Sequence, residues 1–230
     1  MFARAAADGR GLLPTVNAYR AAVGNPDNGS NAPNNGGRRE INWDGVPDAQ
    51  SAPNLLPADF LYNTARRGAV FTAPGNRFQV SATQNNPTKT AVRFGNLNRQ
   101  YPQIFATFSP PRLFTALNTT RMSVYFFVPG TNRPATVSGF GAVFTDVDRP
   151  GTTWLDYVDQ RGRLLHRQQV PPAGGSRSLS FAGVTRSVRD IYRVEITSGN
   201  VALSPQNRDG GLRDAVAMDD FIYGEPRPLR

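Results

Sequence analysis

The sequence contains no cysteine, so disulfides and thiolate metal sites are closed to it. His166 is its single histidine, which excludes multi-histidine metal centres and the His-Glu-x-x-His arrangement. No run of ~18 apolar residues occurs, so nothing reads as a membrane-spanning helix. Between Met1 and Val16 there is no continuous apolar stretch of the ~7–15 residues that a secretory leader needs. Gly-x-Ser-x-Gly elbows and the glycine-rich phosphate loops are also absent, which removes the common signatures of serine hydrolases and nucleotide binders.

Lysine is nearly missing. Of 26 Lys and Arg residues only Lys89 is lysine, and the net charge is +9. Arginine forms planar, two-pronged contacts with carboxylates and phosphates. The bias therefore reads either as partner recognition or as an arginine-favouring coding sequence. The positive charge is scattered, with short clusters at Arg38-Arg39 and Arg66-Arg67, so a nucleic-acid tail is not indicated. The excess still predicts attraction to polyanions, acidic polysaccharide among them.

What remains is a chain of 230 residues that is 39% hydrophobic and 19% charged, enough to bury a core and too little charge for disorder. Residues 12–23 read as a helix, with Val16, Tyr19 and Val23 at helical spacing, Pro14 suited to a first turn and Gly24 to its end. Residues 25–37 (NPDNGSNAPNNGG) read as a polar linker. Residues 1–37 are thus expected to form a docked appendage to a domain spanning 38–230.

From Arg38 onward strand follows strand: 38–43, 68–73, 77–83, 90–95, 103–108, 122–128, 135–147, 153–158, 163–169, 178–184, 191–198 and 215–223. Pro-Gly pairs at 74–75, 129–130 and 150–151 fit type II turns, and Asp159–Gly162 fits a hairpin turn. Tyr192, Val194 and Ile196 alternate with Arg193 and Glu195, which assigns a core face and a solvent face. Strand 122–128 carries apolar groups on both faces, so it is either covered twice or part of a binding surface. No internal repeat appears. The predicted fold is all-β: a two-sheet antiparallel jelly-roll sandwich with one short N-terminal helix.

Five segments recur in order: Arg39-Glu-Ile-Asn-Trp-Asp-Gly-Val-Pro-Asp48, Arg93-Phe-Gly-Asn96, Gly139-Phe-Gly-Ala-Val-Phe-Thr-Asp-Val-Asp148, Ile196-Thr-Ser-Gly-Asn200 and Met218-Asp-Asp-Phe-Ile-Tyr-Gly-Glu-Pro226. Together they resemble a family of uncharacterised, mostly exported bacterial proteins, some of whose relatives carry a PEP-CTERM type sorting tail. The resemblance implies a secreted jelly-roll domain, broadly similar to carbohydrate-binding modules, and brings no catalytic residues with it. The chain departs from the exported pattern in lacking an intact leader and a sorting tail.

Candidate site residues fall into two groups. Trp43 and Trp154, the only tryptophans, are candidate sugar platforms, with Asp156 beside Trp154 on the polar face of its strand; core packing is the competing fate of each indole. Asp219 and Asp220 are adjacent carboxylates in an otherwise apolar strand, so at least one should face a covered side and need a partner. With Asp44 or Asp48 they are expected to hold calcium, or else to pair with arginine. Asp146 and Asp148 share one face of their strand and precede a Pro-Gly turn, where they read as turn caps. His166 reads as an ordinary strand residue. Of the three glutamates, Glu195 faces solvent and Glu225 ends the last strand, so no glycosidase pair stands out.

The expected protein is a non-catalytic, exported binding module at the cell surface or outside a bacterium, its ligand a cell-surface or matrix polysaccharide. The alternative is a structural subunit that self-assembles into a homo-oligomer, filament or coat.

Overall fold

The computed structural model describes residues 1–229. In chain order its strands are β1 (Phe2–Ala6), β2 (Arg38–Ile41), β3 (Ala69–Thr72), β4 (Phe78–Val80), β5 (Phe114–Ala116), β6 (Arg121–Phe126), β7 (Ala135–Thr136), β8 (Gly139–Thr145), β9 (Trp154–Val158), β10 (Leu164–Gln169), β11 (Leu179–Thr185), β12 (Arg193–Thr197), β13 (Ala217–Gly224) and β14 (Arg227–Pro228). Helix α1 spans Gly9–Val23, and α2 is a single turn, Tyr101–Ile104.

The strands form two large antiparallel sheets. The larger runs β1-β11-β8-β13-β5-β4, with β2 also on β13; the smaller runs β10-β9-β12-β6-β3. From β5 to β13 the chain passes back and forth between the two sheets, with β9 and β10 a hairpin within the smaller and β7 paired apart with β14, and the inner faces meet in one aromatic core. This is the predicted all-β sandwich. Alternation sets the faces of the smaller sheet: Met122, Val124, Phe126, Leu155, Tyr157, Val194 and Ile196 point inward and are buried. Ser123, Tyr125, Trp154, Asp156, Arg193 and Glu195 point outward and are only half-buried. Tyr192 leaves the expected core set. It lies before the first residue of β12 and packs edge-on against Tyr125, 5.8 Å between ring centres, while Ile191 fills the core.

The turn chemistry is as expected. Gly75, Gly130, Gly151 and Gly162 have φ of 76°, 73°, 79° and 81°, the left-handed region that a side chain rarely enters.

Within the first 37 residues the helix docks on the sandwich as expected, and the segments on either side of it also join the larger sheet or its buried charges. β1 pairs with β11 and extends the larger sheet. Helix α1 starts earlier than its apolar spacing suggests, because the Asp8 carboxylate caps it by accepting from Gly11 N–H at 3.0 Å. Pro14 consequently lies beyond the first turn. Leu12, Val16, Tyr19 and Val23 are buried against Val143, Leu179, Phe181 and Ile222 on the outer face of the larger sheet. That face accepts the helix because of close approach. A Cβ at Gly141 would sit 3.0 Å from the Tyr19 ring and one at Gly183 2.9 Å from it, so the two glycines form the trough that Tyr19 occupies.

The 25–37 segment is held by a buried ion pair. Arg39, on β2, and Glu225, just past β13, have side-chain exposures of 0% and 1% and meet through two hydrogen bonds of 2.8 Å. The rest of the guanidinium donates to the carbonyls of Gly29, Asn31, Ala32 and Arg66. Asn28 Nδ2 and Asn34 N–H donate to the Glu225 carboxylate. The polar segment therefore wraps a charge rather than trailing as a linker.

Two predicted strands are absent. In 90–95, Arg93 and Phe94 have φ of 48° and 63°, which breaks the extended run and turns Phe94 into a side cluster with Tyr101 and Phe105. Segment 103–108 is entered through α2, whose turn closes with Phe105 N–H on Tyr101 O.

Candidate functional site

The outer face of the smaller sheet gathers the polar and aromatic groups of five neighbouring strands. The register Arg167↔Asp156, Glu195↔Asp156, Glu195↔Ser123 and Thr72↔Ser123 makes one continuous row across β10, β9, β12, β6 and β3. Beside it runs Gln169, Trp154, Thr197 and Arg121. The first row, with Arg121 and Thr197, lines an open groove of about 410 Å³.

Ion pairs hold this surface flat. Arg167 Nε and Nη2 each donate to Asp156 at 2.7 Å, and that carboxylate raises the arginine's own pKa. Arg193 donates to Glu195 at 2.7 Å. Arg121 takes part in none of the ion pairs among the described residues, so it leaves a positive charge uncompensated at the groove. Trp154 stands at the rim: Arg167 lies over its ring at 5.4 Å, and its indole N–H donates to Gly151 O at 3.0 Å. Tyr125 and Tyr192 continue the face beyond Arg193.

Of the candidate sugar platforms, Trp154 and Asp156 lie on this surface and Trp43 does not. Trp43 is 2% exposed, stacks on Phe114 at 3.9 Å and donates its indole N–H to Asp219 O at 2.7 Å. The expectation for Trp43 is corrected accordingly. Its polar neighbours Asn42 and Asp44 suggest the surface, but Trp43 keeps the inward parity of Arg39 and Ile41, and its φ of 67° begins the turn that follows. Arg167, Glu195, Ser123 and Arg121 were not singled out from the sequence. Alternation could mark each as outward-facing, but only strand order brings them together.

The four aspartates expected to hold a metal do not share one centre. Asp48 pairs with Arg112 at 2.7 Å, and Asp44 accepts from Arg112 N–H at 3.2 Å. Asp219 and Asp220 are brought together by a β-bulge: between Met218↔Phe144 and Phe221↔Ala142, two residues of β13 stand opposite Val143 alone. The extra residue turns both carboxylates to one side, where Ser109 Oγ contacts both. Phe108 N–H donates to Asp219 at 2.6 Å, and Arg20, bound to Glu40 at 2.7 Å, reaches Asp220 at 3.4 Å. Burial, then the adjoining carboxylate, pushes Asp219 well above the usual carboxylate range. Burial raises Asp220 as well and pushes Asp44 up to about 6. Backbone, hydroxyl and arginine donors thus engage at least one oxygen of each of the four carboxylates. His166 lies at a register irregularity of β10, its ring 6.1 Å from Tyr157.

No protein-family model matches the chain, and no curated protein matches it. Among the described residues no helix is long and apolar enough to cross a membrane.

Proposed function

We propose that the protein is a non-catalytic, exported β-sandwich module that binds polysaccharide on the outer face of its smaller sheet. The observation that carries the reading is the row Arg167, Asp156, Glu195, Ser123 and Thr72, one residue from each of five strands. At ~4.8 Å per strand it spans ~19 Å, long enough for several rings of an extended sugar chain. It sets a guanidinium, two carboxylates and two hydroxyls side by side, a mixture of donors and acceptors that suits vicinal hydroxyls, and Trp154 offers an apolar surface at the rim. Uncompensated Arg121 and the net charge of +9 favour an acidic polysaccharide. Export rests on the family resemblance of the ordered motifs.

Affinity electrophoresis against neutral and acidic polysaccharides tests the reading. The monomer is expected to be retarded by at least one acidic polymer. Asp156→Ala and Trp154→Ala should each weaken binding about tenfold or more, and added salt should weaken it further. A monomer that no polysaccharide retards would overturn the proposal. Large particles that form without sugar would favour a self-assembling structural subunit instead.

A further inference from the structure

At one end of the sandwich a second group of carboxylates is arranged differently from the bulge pair. Asp146 follows the last residue of β8 with a φ of 68°, and Asp148 lies two residues on. Asp209 comes from the 199–214 segment, which leads into β13. One oxygen from each of Asp146, Asp148 and Asp209 lies within 4.8 Å of the other two. Among the described residues no other three acidic, histidine or cysteine side chains converge in this way.

A cluster of acids alone would signify little. Here Asp146 is fully buried, at 0% exposure, and neither of its carboxylate oxygens has a hydrogen-bond partner. One oxygen of Asp148 is buried and unpartnered too. A buried carboxylate left without a donor costs several kcal/mol if charged, so native structures rarely keep one. No arginine compensates. None of the ion pairs among the described residues includes Asp146, Asp148, Asp209 or Asp214. Arg149, next to Asp148 in sequence, donates from its guanidinium to Gly211 O at 2.9 Å. Burial, followed by the charges of Asp148, Asp209 and Asp214, pushes Asp146 up to about 8; the Arg177 backbone N–H, already bonded to Ile104 O at 2.6 Å, draws it down only in part. The fourth carboxylate is already employed: Asp214 accepts from Asp148 N–H at 3.0 Å and from the Thr152 hydroxyl.

We propose that Asp146, Asp148 and Asp209 bind a calcium ion that fastens the 199–214 segment to the end of β8, with Asp214 as a positioning residue. The dimensions agree. Calcium–oxygen distances of ~2.3–2.6 Å put ligands on opposite sides of the ion ~4.6–5.2 Å apart, and neighbouring ligands closer. The chemistry agrees as well, since all three donors are carboxylate oxygens and a hard cation is the partner they suit. Asp148 and Asp209 are only half-buried, so the site opens to solvent and an ion can enter. Backbone carbonyls and water would complete the shell. Magnesium fits less well, because it holds its water shell and demands octahedral geometry. An ion there would add to the contacts that already hold the segment: Gln100 exchanges hydrogen bonds with the Asp209 backbone, Tyr101 O–H donates to Asn207 O at 2.9 Å, Arg149 donates to Gly211 O, and Leu203 is buried.

The test is calorimetric titration of chelator-stripped protein with calcium chloride, alongside thermal unfolding with and without the ion. One site per chain is expected, with a dissociation constant on the order of 10⁻⁴–10⁻³ M or tighter. At a hundredfold excess over that constant, Tm should rise by about 5–10 °C. Asp146→Asn should abolish both signals. Asp209→Asn should do the same on a protein that still folds, because its amide oxygen can still accept from Ala215 N–H. Asp220→Asn and Asp48→Asn should leave calcium binding intact. No heat and no Tm shift in the native protein would overturn the proposal. So would a response that survives Asp146→Asn and Asp209→Asn, or one lost only in Asp220→Asn, which would put the ion at the bulge. An equal response to magnesium chloride would overturn the choice of calcium.

Discussion

Arg39 and Asp146 are both fully buried ionisable side chains at 0% exposure, and the molecule treats them in opposite ways. Around Arg39 the chain supplies a two-pronged carboxylate, four backbone carbonyls and, for that carboxylate, an amide and a backbone N–H. Around Asp146 it supplies further carboxylates, and neither oxygen has a hydrogen bond of good geometry, the nearby Arg177 N–H being bonded to Ile104 O. The bulge pair, Asp219 and Asp220, is intermediate, since it has donors but also a like-charged neighbour. Burial alone therefore does not distinguish a structural charge from a ligand-seeking one. The distinguishing feature is whether the protein closes the hydrogen-bond shell itself. An arginine among carbonyls is complete, and its function is to fold a Gly/Asn-rich segment into the sandwich. Carboxylates among carboxylates are incomplete until something positive arrives.

Breaking the closed cluster should have the largest effect. Arg39→Met leaves Glu225 buried without its partner, which should cost about 3–5 kcal/mol and make segment 25–37 susceptible to proteolysis. Urea unfolding and limited digestion measure the two consequences. A loss below ~1 kcal/mol would show that the pair is replaceable and the segment held otherwise.

The intermediate cluster should respond less. Ser109→Ala removes the hydroxyl that contacts both Asp219 and Asp220, and should destabilise by about 1–3 kcal/mol. Its pH dependence has a definite sign. Asp44 is pushed up to about 6 in the folded chain, against ~3.9 unfolded, so the folded state holds that proton more tightly. Its contribution is fully present below about pH 4 and is lost as pH rises through about 6. Stability measured across this window should fall with pH, and Asp44→Asn should flatten that part of the profile. An unchanged slope in the variant would assign the dependence to other groups.

The smallest effect on stability is expected at the solvent-facing pair. Arg167 is 57% exposed, so Arg167→Ala should change unfolding free energy by under ~1 kcal/mol while disturbing the polysaccharide face through loss of Asp156 orientation. A stability loss above ~2 kcal/mol would mean that the groove residues are structural first.

These contrasts bear on what a sequence discloses. The Pro-Gly turns, the apolar face of α1 and the outward position of Trp154 and Asp156 follow from local rules, and the structure has them. Trp43 did not follow, because its polar, turn-forming neighbours point to the surface although it shares the parity of buried Arg39 and Ile41. The companionship of Asp219 and Asp220 depends on a bulge, which needs knowledge of the strand opposite. Asp146 and Asp148 are recognisable as a pair, but Asp209 joins them only because β8 and β13 are neighbours in the larger sheet. Closure of a buried charge is a property of pairing, and single-chain spacing does not contain it.

Hydrogen–deuterium exchange with and without calcium examines the contrast most directly, because it reads both segments in one experiment. Protection across 199–214 should rise when calcium is added to chelator-stripped protein, while 25–37, already closed around Arg39, should exchange at the same rate in both conditions. Unchanged exchange at 199–214, or an equal change in the two segments, would contradict the account.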